Sequence, residues 1–406
     1  MKLPRAFLKL WIGQTISELG TWLGALGLLA ILQLNATPAQ MGLFETLRTL
    51  PVLLIGLFAG VWVDRACRRP NGRRQLLIGA DLGRALLLGG VVAAALTGLL
   101  QIEHLYVAGF LIGCCTILFD NAWHAYLPAL VPGEALVAAN SRVTATTATA
   151  EILSPGLGGL LVQRLGAPLT VLFDAFSFLA SAFFIHTIGE EQPPTSAGDG
   201  QDQHVWREIQ QGLRLVGEDG RLRAITAAAA TTRFFGGFFQ ALYGLYILRV
   251  LGLNPATMGL MVGAGGLGSL AAAFVVDRIA RRKGLGRTMM LTLFAGGALQ
   301  LFTPLAALPG APVLLFVLIS QLCGDIFGAA YSILATSLRQ RITPLHALGR
   351  VNASFEFLAG GLGVVGIFCG GLLGERIGMT TTLVIAASGI ALASGWLWPL
   401  TKLEDG

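Results

Sequence analysis

The sequence predicts an all-α membrane protein: twelve transmembrane helices in two parallel six-helix repeats, with both termini cytoplasmic. Three observations predict it. Of 406 residues, 54% are hydrophobic and only 12% are charged, whereas a soluble domain carries about 25% charged residues. Apolar runs near the ~20 residues needed to cross a bilayer recur twelve times along the chain. An acid followed by a basic cluster closes one such run at Gly60-Val-Trp-Val-Asp-Arg-Ala-Cys-Arg-Arg69 and another at Val276-Asp-Arg-Ile-Ala-Arg-Arg-Lys283, with Asp64 and Asp277 213 positions apart.

The rest of the composition fits that class. Mean hydropathy is +0.71, and 54 glycines suit close helix packing in lipid. The formal charge of +6 is concentrated between the apolar runs. There it reads as an orientation signal and a contact with anionic lipid rather than as nucleic-acid binding. Five cysteines show no zinc spacing and serve no ectodomain. Lys2, Arg5 and Lys9 precede the first apolar run. That run carries Glu18 and no convincing cleavage site, so it is read as a retained span.

In chain order the expected spans are 10–34, 40–63, 75–99, 104–127, 141–163, 167–188, 224–248, 257–277, 288–308, 312–336, 351–373 and 378–399. Lys and Arg alternate between rich and poor connections, which places both termini inside. This divides the chain into an N-terminal six-helix bundle (1–188), a cytoplasmic linker (189–223) and a C-terminal bundle (224–406). The linker opens with Gly189-Glu-Glu-Gln-Pro-Pro-Thr-Ser-Ala-Gly-Asp-Gly-Gln-Asp202. Trp206, Ile209, Leu213 and Val216 then share one helical face, the spacing of a short amphipathic helix at the inner interface or of a plain solvated one. The repeat extends beyond the basic motifs: Pro132, Asn140, Gly158-Gly-Leu-Leu161, Arg164 and Gly166 recur 212 positions on. Parallel repeats imply a pathway between them at mid-bilayer.

At these motifs the chain resembles the major facilitator superfamily. The resemblance covers nearly the whole chain. The superfamily's loop between helices 2 and 3 reads Gly-x-x-x-Asp-Arg-x-Gly-Arg-Arg. Gly60, Asp64, Arg65, Arg68 and Arg69 match it, with Cys67 at the second Gly; Asp277, Arg278, Arg281 and Arg282 match in the second copy. Glu45-Thr-Leu-Arg-Thr-Leu-Pro51, Ala80-Asp-Leu-Gly-Arg84 and Phe173-Asp-Ala-Phe-Ser-Phe178 are similar to the drug:proton antiporter branch, which holds macrolide efflux proteins and the enterobactin exporter. The fifth span is similar to that of antiporters at Pro155, Gly158 and Gly159, with Ser154 at an earlier Gly position. The helix-4 Arg frequent in proton-coupled members is missing. The resemblance implies a gate role for Asp64 and, less firmly, Asp277. Asp81 and Arg84 are read as a local pair near the basic loop that extends this gate.

No phosphate loop, zinc pattern or nucleophile elbow occurs, so no enzymatic activity, cofactor or metal is expected. Ionisable residues inside the spans are the functional candidates. For proton coupling these are Glu151 first, then Asp120, with Glu18 and Asp325. For each, the alternative is an acid that only fixes packing. Arg233 and Glu18 lie at similar depth on spans that line the cavity in the superfamily, so a pair between them, or Arg233 against an anionic substrate, is considered beside plain snorkelling. Phe234, Phe238 and Tyr243 belong to a dense aromatic run that either stacks a substrate or packs. The reading is a monomeric secondary transporter in the bacterial inner membrane that exports an amphipathic small molecule (a drug, macrolide-like compound or siderophore) by proton antiport. An importer of the same fold, a siderophore or metabolite exporter of a biosynthetic pathway, and a non-transport scaffold are the alternatives.

Overall fold

The computed structural model describes residues 3–56, 63, 71–189 and 205–401. Among them no strand occurs. The helices are α1 (Arg5–Thr21), α2 (Ala25–Leu32), α3 (Pro38–Leu54), α4 (Gly72–Leu96), α5 (Ile102–Leu130), α6 (Leu136–Leu165), α7 (Ala167–His186) and α8 (Val205–Glu218). They continue as α9 (Gly220–Leu245), α10 (Pro255–Lys283), α11 (Leu285–Gln300), α12 (Phe302–Leu305), α13 (Val313–Leu318), α14 (Gly324–Ile342), α15 (Leu348–Ile377) and α16 (Met379–Ala393).

Among the described residues nine spans, several joined across short breaks, are long and apolar enough to cross a membrane. The expected spans on α6 and α9 do not reach that standard. The expected span 40–63 on α3 has its end, 57–63, mostly outside the described residues. α6 carries Ser141, Thr144, Thr146, Thr147, Thr149 and Glu151 along its first half, and α9 carries Arg221, Arg223 and Arg233. Helices of that polarity need a neighbour or water along one face.

The breaks have local causes. α1 stops and α2 starts at Gly24, whose φ of 65° is left-handed and suits a residue without Cβ. π-helical turns interrupt regularity at Tyr246–Val250 and Ile319–Cys323.

Contacts divide the chain into two compact units. The first comprises Met1–Ala36, Leu47–Gln201 and Asn254–Leu260; the second comprises Thr37–Thr46, Asp202–Leu253 and Met261–Gly406. These units exchange two short segments relative to the expected boundaries. In the first unit α4 packs on α7 and α5, and α1 on α7. Leu10, Leu77, Phe119, Trp123, Tyr126 and Ile185 form its core. Here Asn254–Leu260 lies on α6: a Cβ on Gly159 would overlap the Pro255 carbonyl, and one on Gly259 would overlap that of Pro155. In the second unit α9 packs on α15 and α16, and α11 on α14 and α16. Its core includes Ile225, Met289, Leu293, Leu334, Phe355 and Ile390. Gly42 meets Gly371 there, with room for no side chain at either, and the Ala39 N–H donates to Glu375 at 3.0 Å.

α8 is docked rather than free. A Cβ on Gly212 would overlap Ser354 Oγ and the Arg350 carbonyl, and Arg350 donates to Gln211 at 2.6 Å. Val216 is buried against Leu222 and Val351. Asp219 then caps α9, accepting from the Arg221 and Leu222 N–H groups. The Arg221 side chain also hydrogen-bonds Asp219 and holds its carboxyl below the usual carboxylate range. A depressed carboxylate stabilises the fold above its unfolded value of about 3.9 and loses that contribution as pH falls through the lower folded value. Asp219→Ala is expected to lower stability by ~1 kcal/mol at neutral pH. Thermal unfolding in detergent should show this difference shrinking in acid.

Candidate functional site

The first unit holds one buried guanidinium surrounded by acids. Asp81 and Arg84 stand three residues apart on α4, a spacing that puts them on one helix face. Asp81 is 0% and Arg84 5% exposed, and the two are hydrogen-bonded. At about 1.5 Å per residue they lie ~14 and ~18 Å from the start of α4. α4 is long enough to carry both well away from its start; the basic loop whose gate they are read as extending lies mostly outside the described residues. Arg84 lies between two aromatic faces, 4.5 Å from the Phe119 ring centroid on α5 and 4.1 Å from that of Phe178 on α7. Asp81 Oδ2 and Arg84 Nε have no hydrogen-bond partner among the described residues.

Other acids converge from three helices. Asp174 of α7, Asp120 of α5 and Glu18 of α1 all lie within electrostatic reach of Arg84. Gln14 donates to Glu18 at 2.8 Å. Ser177 donates to the Asp174 carbonyl at 2.7 Å. Gly20 of α1 leaves the space that Asp174 and Ser177 fill. Asp174, seven residues into α7, is part of this cluster. Its signal was available as an acid inside an apolar run. Asp120 is exposed, so the cluster grades from open space to full burial.

Glu151 is not in that cluster. It is exposed on α6, in line with Ser141, Thr144 and Thr147. One turn later come Ser154 and Pro155, both buried, followed by Gly158 and Gly159. Gly158 abuts the Leu23 backbone and Gly159 that of Pro255 and Ala256. The small residues of this motif thus occupy two backbone-to-backbone contacts.

In the second unit Arg233 has an acid of its own. Both guanidinium nitrogens go to Glu356 of α15, at 2.6 and 3.2 Å. The pair forms because α9 and α15 are the most closely packed helices of this unit. Phe238 is 2% exposed and seated on Gly370, while Phe235 covers Gly389. Phe234 lies edge to face with Phe235 and Phe238, the latter two are tilted to each other, and the three ring centroids lie within 5.6 Å of one another. This aromatic run is chiefly packing surface, because the opposing glycines admit the rings. Tyr243 is half-buried, with its buried hydroxyl unpartnered among the described residues. Asp325 accepts from Gln321 at 2.7 Å and faces Gly265, one turn after the π-helical stretch.

Gly60, Asp64, Arg65, Arg68 and Arg69 lie outside the described residues. The second basic motif is helical: Asp277, Arg278, Arg281 and Arg282 form the end of α10. Asp277 pairs with Arg281 at 2.9 Å, with both side chains more than two-thirds exposed. Such a local surface pair contributes little.

The chain matches the family model described as transmembrane secretion effector over residues 4–405. It is 28% identical to the multidrug efflux pump Tap of Mycolicibacterium fortuitum, over 87% of this chain and 85% of that protein. It is 25% identical to the uncharacterized MFS-type transporter YfiS of Bacillus subtilis, over 94% and 89%. To the enterobactin exporter EntS of Escherichia coli it is 25% identical over 96% and 89%. Among solved structures, a bacterial homologue of the iron transporter ferroportin superposes with a TM-score of 0.76 at 18% identity, covering 99% of this chain and all of the other. The nucleoside transporter NupG superposes at 0.78 with 12% identity, covering 98% and 100%. At these identities the solved structures establish the fold. The chain is therefore a multi-pass bacterial membrane transporter, not an enzyme, and belongs to the transmembrane secretion effector family within the major facilitator superfamily.

Proposed function

We propose that this transporter exports an amphipathic small molecule across the bacterial inner membrane in exchange for protons, by alternating access. Export is supported by relatives named as an efflux pump and as an exporter, each matched over more than four-fifths of its length. Proton exchange rests on one observation: four carboxylates, Glu18, Asp81, Asp120 and Asp174, share the single guanidinium of Arg84. One guanidinium balances one carboxylate. In an apolar interior the others must reach water or bind protons. A proton shifts the conformational equilibrium only through different affinity in the two states. A graded set of acids, from exposed Asp120 to buried Asp81, supplies sites that such a difference can act on.

Glu151 is the water-accessible partner in this scheme, on a helix whose polar stripe leads to it. Glu151→Gln should insert normally and abolish efflux driven by a pH gradient in proteoliposomes. Asp120→Asn should impair the same flux. Undiminished gradient-driven efflux in Glu151→Gln would remove Glu151 from the coupling path.

A further inference from the structure

The second unit contains a buried guanidinium that forms no ion pair among the described residues. It belongs to Arg339, in the last turn of α14, which is 9% exposed. Its Nε has no hydrogen-bond partner there. Its guanidinium lies 3.8 Å from the Phe355 ring centroid. Arg233 approaches the same ring at 5.8 Å. Glu356 is the nearby acid, but both of its oxygens are bound to Arg233. The local sum is two cations against one anion.

A buried hydroxyl adds to the site. Tyr331 stands two turns before Arg339 on α14, is 7% exposed, and has an unpartnered hydroxyl among the described residues. Arg339 and Arg233 both lie within electrostatic reach of the Tyr331 hydroxyl. Arg341, exposed in the same turn, is the residue placed to serve solvent and the helix end. A charge inside a span without a counter-ion costs free energy unless a ligand supplies one.

We propose that Arg339, with Arg233, Tyr331 and Phe355, binds the anionic group of the cargo, and that the cargo class is an organic oxyanion such as an aromatic carboxylate. The proposal rests on the exporter reading and specifies its substrate. The guanidinium fork fits a planar two-oxygen group, a phenolic hydroxyl can donate to it, and the ring edge beside it accepts an apolar body. An excess positive charge also repels cationic drugs, so the site selects by rejection as well as attraction.

Three probes with one ring system test this: naphthoate, its neutral amide, and naphthylmethylamine. Binding to the purified full chain in detergent is measured by calorimetry, with inorganic phosphate in a separate arm. Naphthoate should bind about tenfold more tightly than the amide, and naphthylmethylamine more weakly than either. Arg339→Gln should erase the tenfold preference, with naphthoate losing more affinity than the amide. Equal affinities for naphthoate and amide in the unmutated protein would overturn the proposal, as would an unchanged preference in Arg339→Gln. Phosphate competing as well as naphthoate would also overturn it, in favour of an inorganic ion site. If Arg339→Gln is not monodisperse, Arg339→Lys decides: it keeps the charge but loses the fork, so naphthoate affinity should fall with the probe order intact, and unaltered affinity counts against the site. Efflux of the same probes separates this proposal from the exporter reading. Charge-selective binding without efflux leaves the site standing and fails the reading; efflux that prefers the amine does the reverse.

Discussion

Arg84→Met is expected to destabilise the protein by ~3–5 kcal/mol, because it leaves Asp81 buried with an uncompensated charge. The guanidinium also fills the space between Phe119 and Phe178, so its planar contacts are lost together with its charge. Methionine has no polar atom but ends where the guanidinium begins, so the loss combines the charge with the space opened between the two rings. The second half of the experiment is Arg84→Met combined with Asp81→Asn. Removing both charges should recover a large part of the loss, since a buried pair replaced by uncharged groups is often close to neutral. Thermal unfolding in detergent reads all three variants. An Arg84→Met protein that melts like the unmutated chain would mean that Asp81 does not depend on Arg84. Transport should not return in the double variant if these groups carry the coupling proton, which separates stability from function.

Gly159→Val should have the largest effect of any substitution outside the ionisable residues. A Cβ at residue 159 overlaps the Pro255 carbonyl, a backbone atom that cannot rotate away. The expected result is loss of ~1–3 kcal/mol from overpacking and loss of transport, because α6 and the Asn254–Leu260 segment cannot close to the same distance. Gly156→Ala is the control. Its Cβ meets only Leu260 Cδ2, at 3.3 Å, the far end of a side chain that can move. There the gain in helix propensity, about 0.5–1 kcal/mol, should roughly offset the contact. Equal melting and equal efflux for Gly159→Val and Gly156→Ala would show that the close approach does not exist in the working protein.

The helices were legible in the sequence because apolar length and basic punctuation are local properties. The expected limits 167–188 and 312–336, for example, lie close to Ala167–His186 and Val313–Ile342. α6 and α9 fall short as apolar spans for the same reason that makes them informative: their hydroxyls and charges lower hydropathy. The partners of the ionisable residues were not legible. Glu18 and Asp120 stood out as intramembrane acids, but sequence gives no distance between α1, α5 and α7, so their common relation to Arg84 was invisible. Arg233 was singled out, yet its partner Glu356 lies 123 residues away. The Phe234–Phe238 run resembled a substrate wall because sequence records aromatic rings but not the glycines that face them. An arginine near the end of a span reads as an anchor, so Arg339 did not stand out as a binding residue. Only the absence of an ion pair, a three-dimensional fact, distinguishes it.

The left-handed residue at Gly24 bears on how movement can pass through the first span. Its N–H bonds back to Thr21 at 3.4 Å, so the regular ladder is interrupted between Thr21 and Ala25. Directly beside this break the Leu23 backbone abuts Gly158. A broken helix at membrane depth is tolerated only where protein or enclosed water covers it, and Gly158 provides that cover. In mechanical terms the span is two short rods sharing a pin joint. Torque on the rod that carries Glu18 is not transmitted in full to the rod that carries Leu29, and the bearing on which both turn belongs to a different helix.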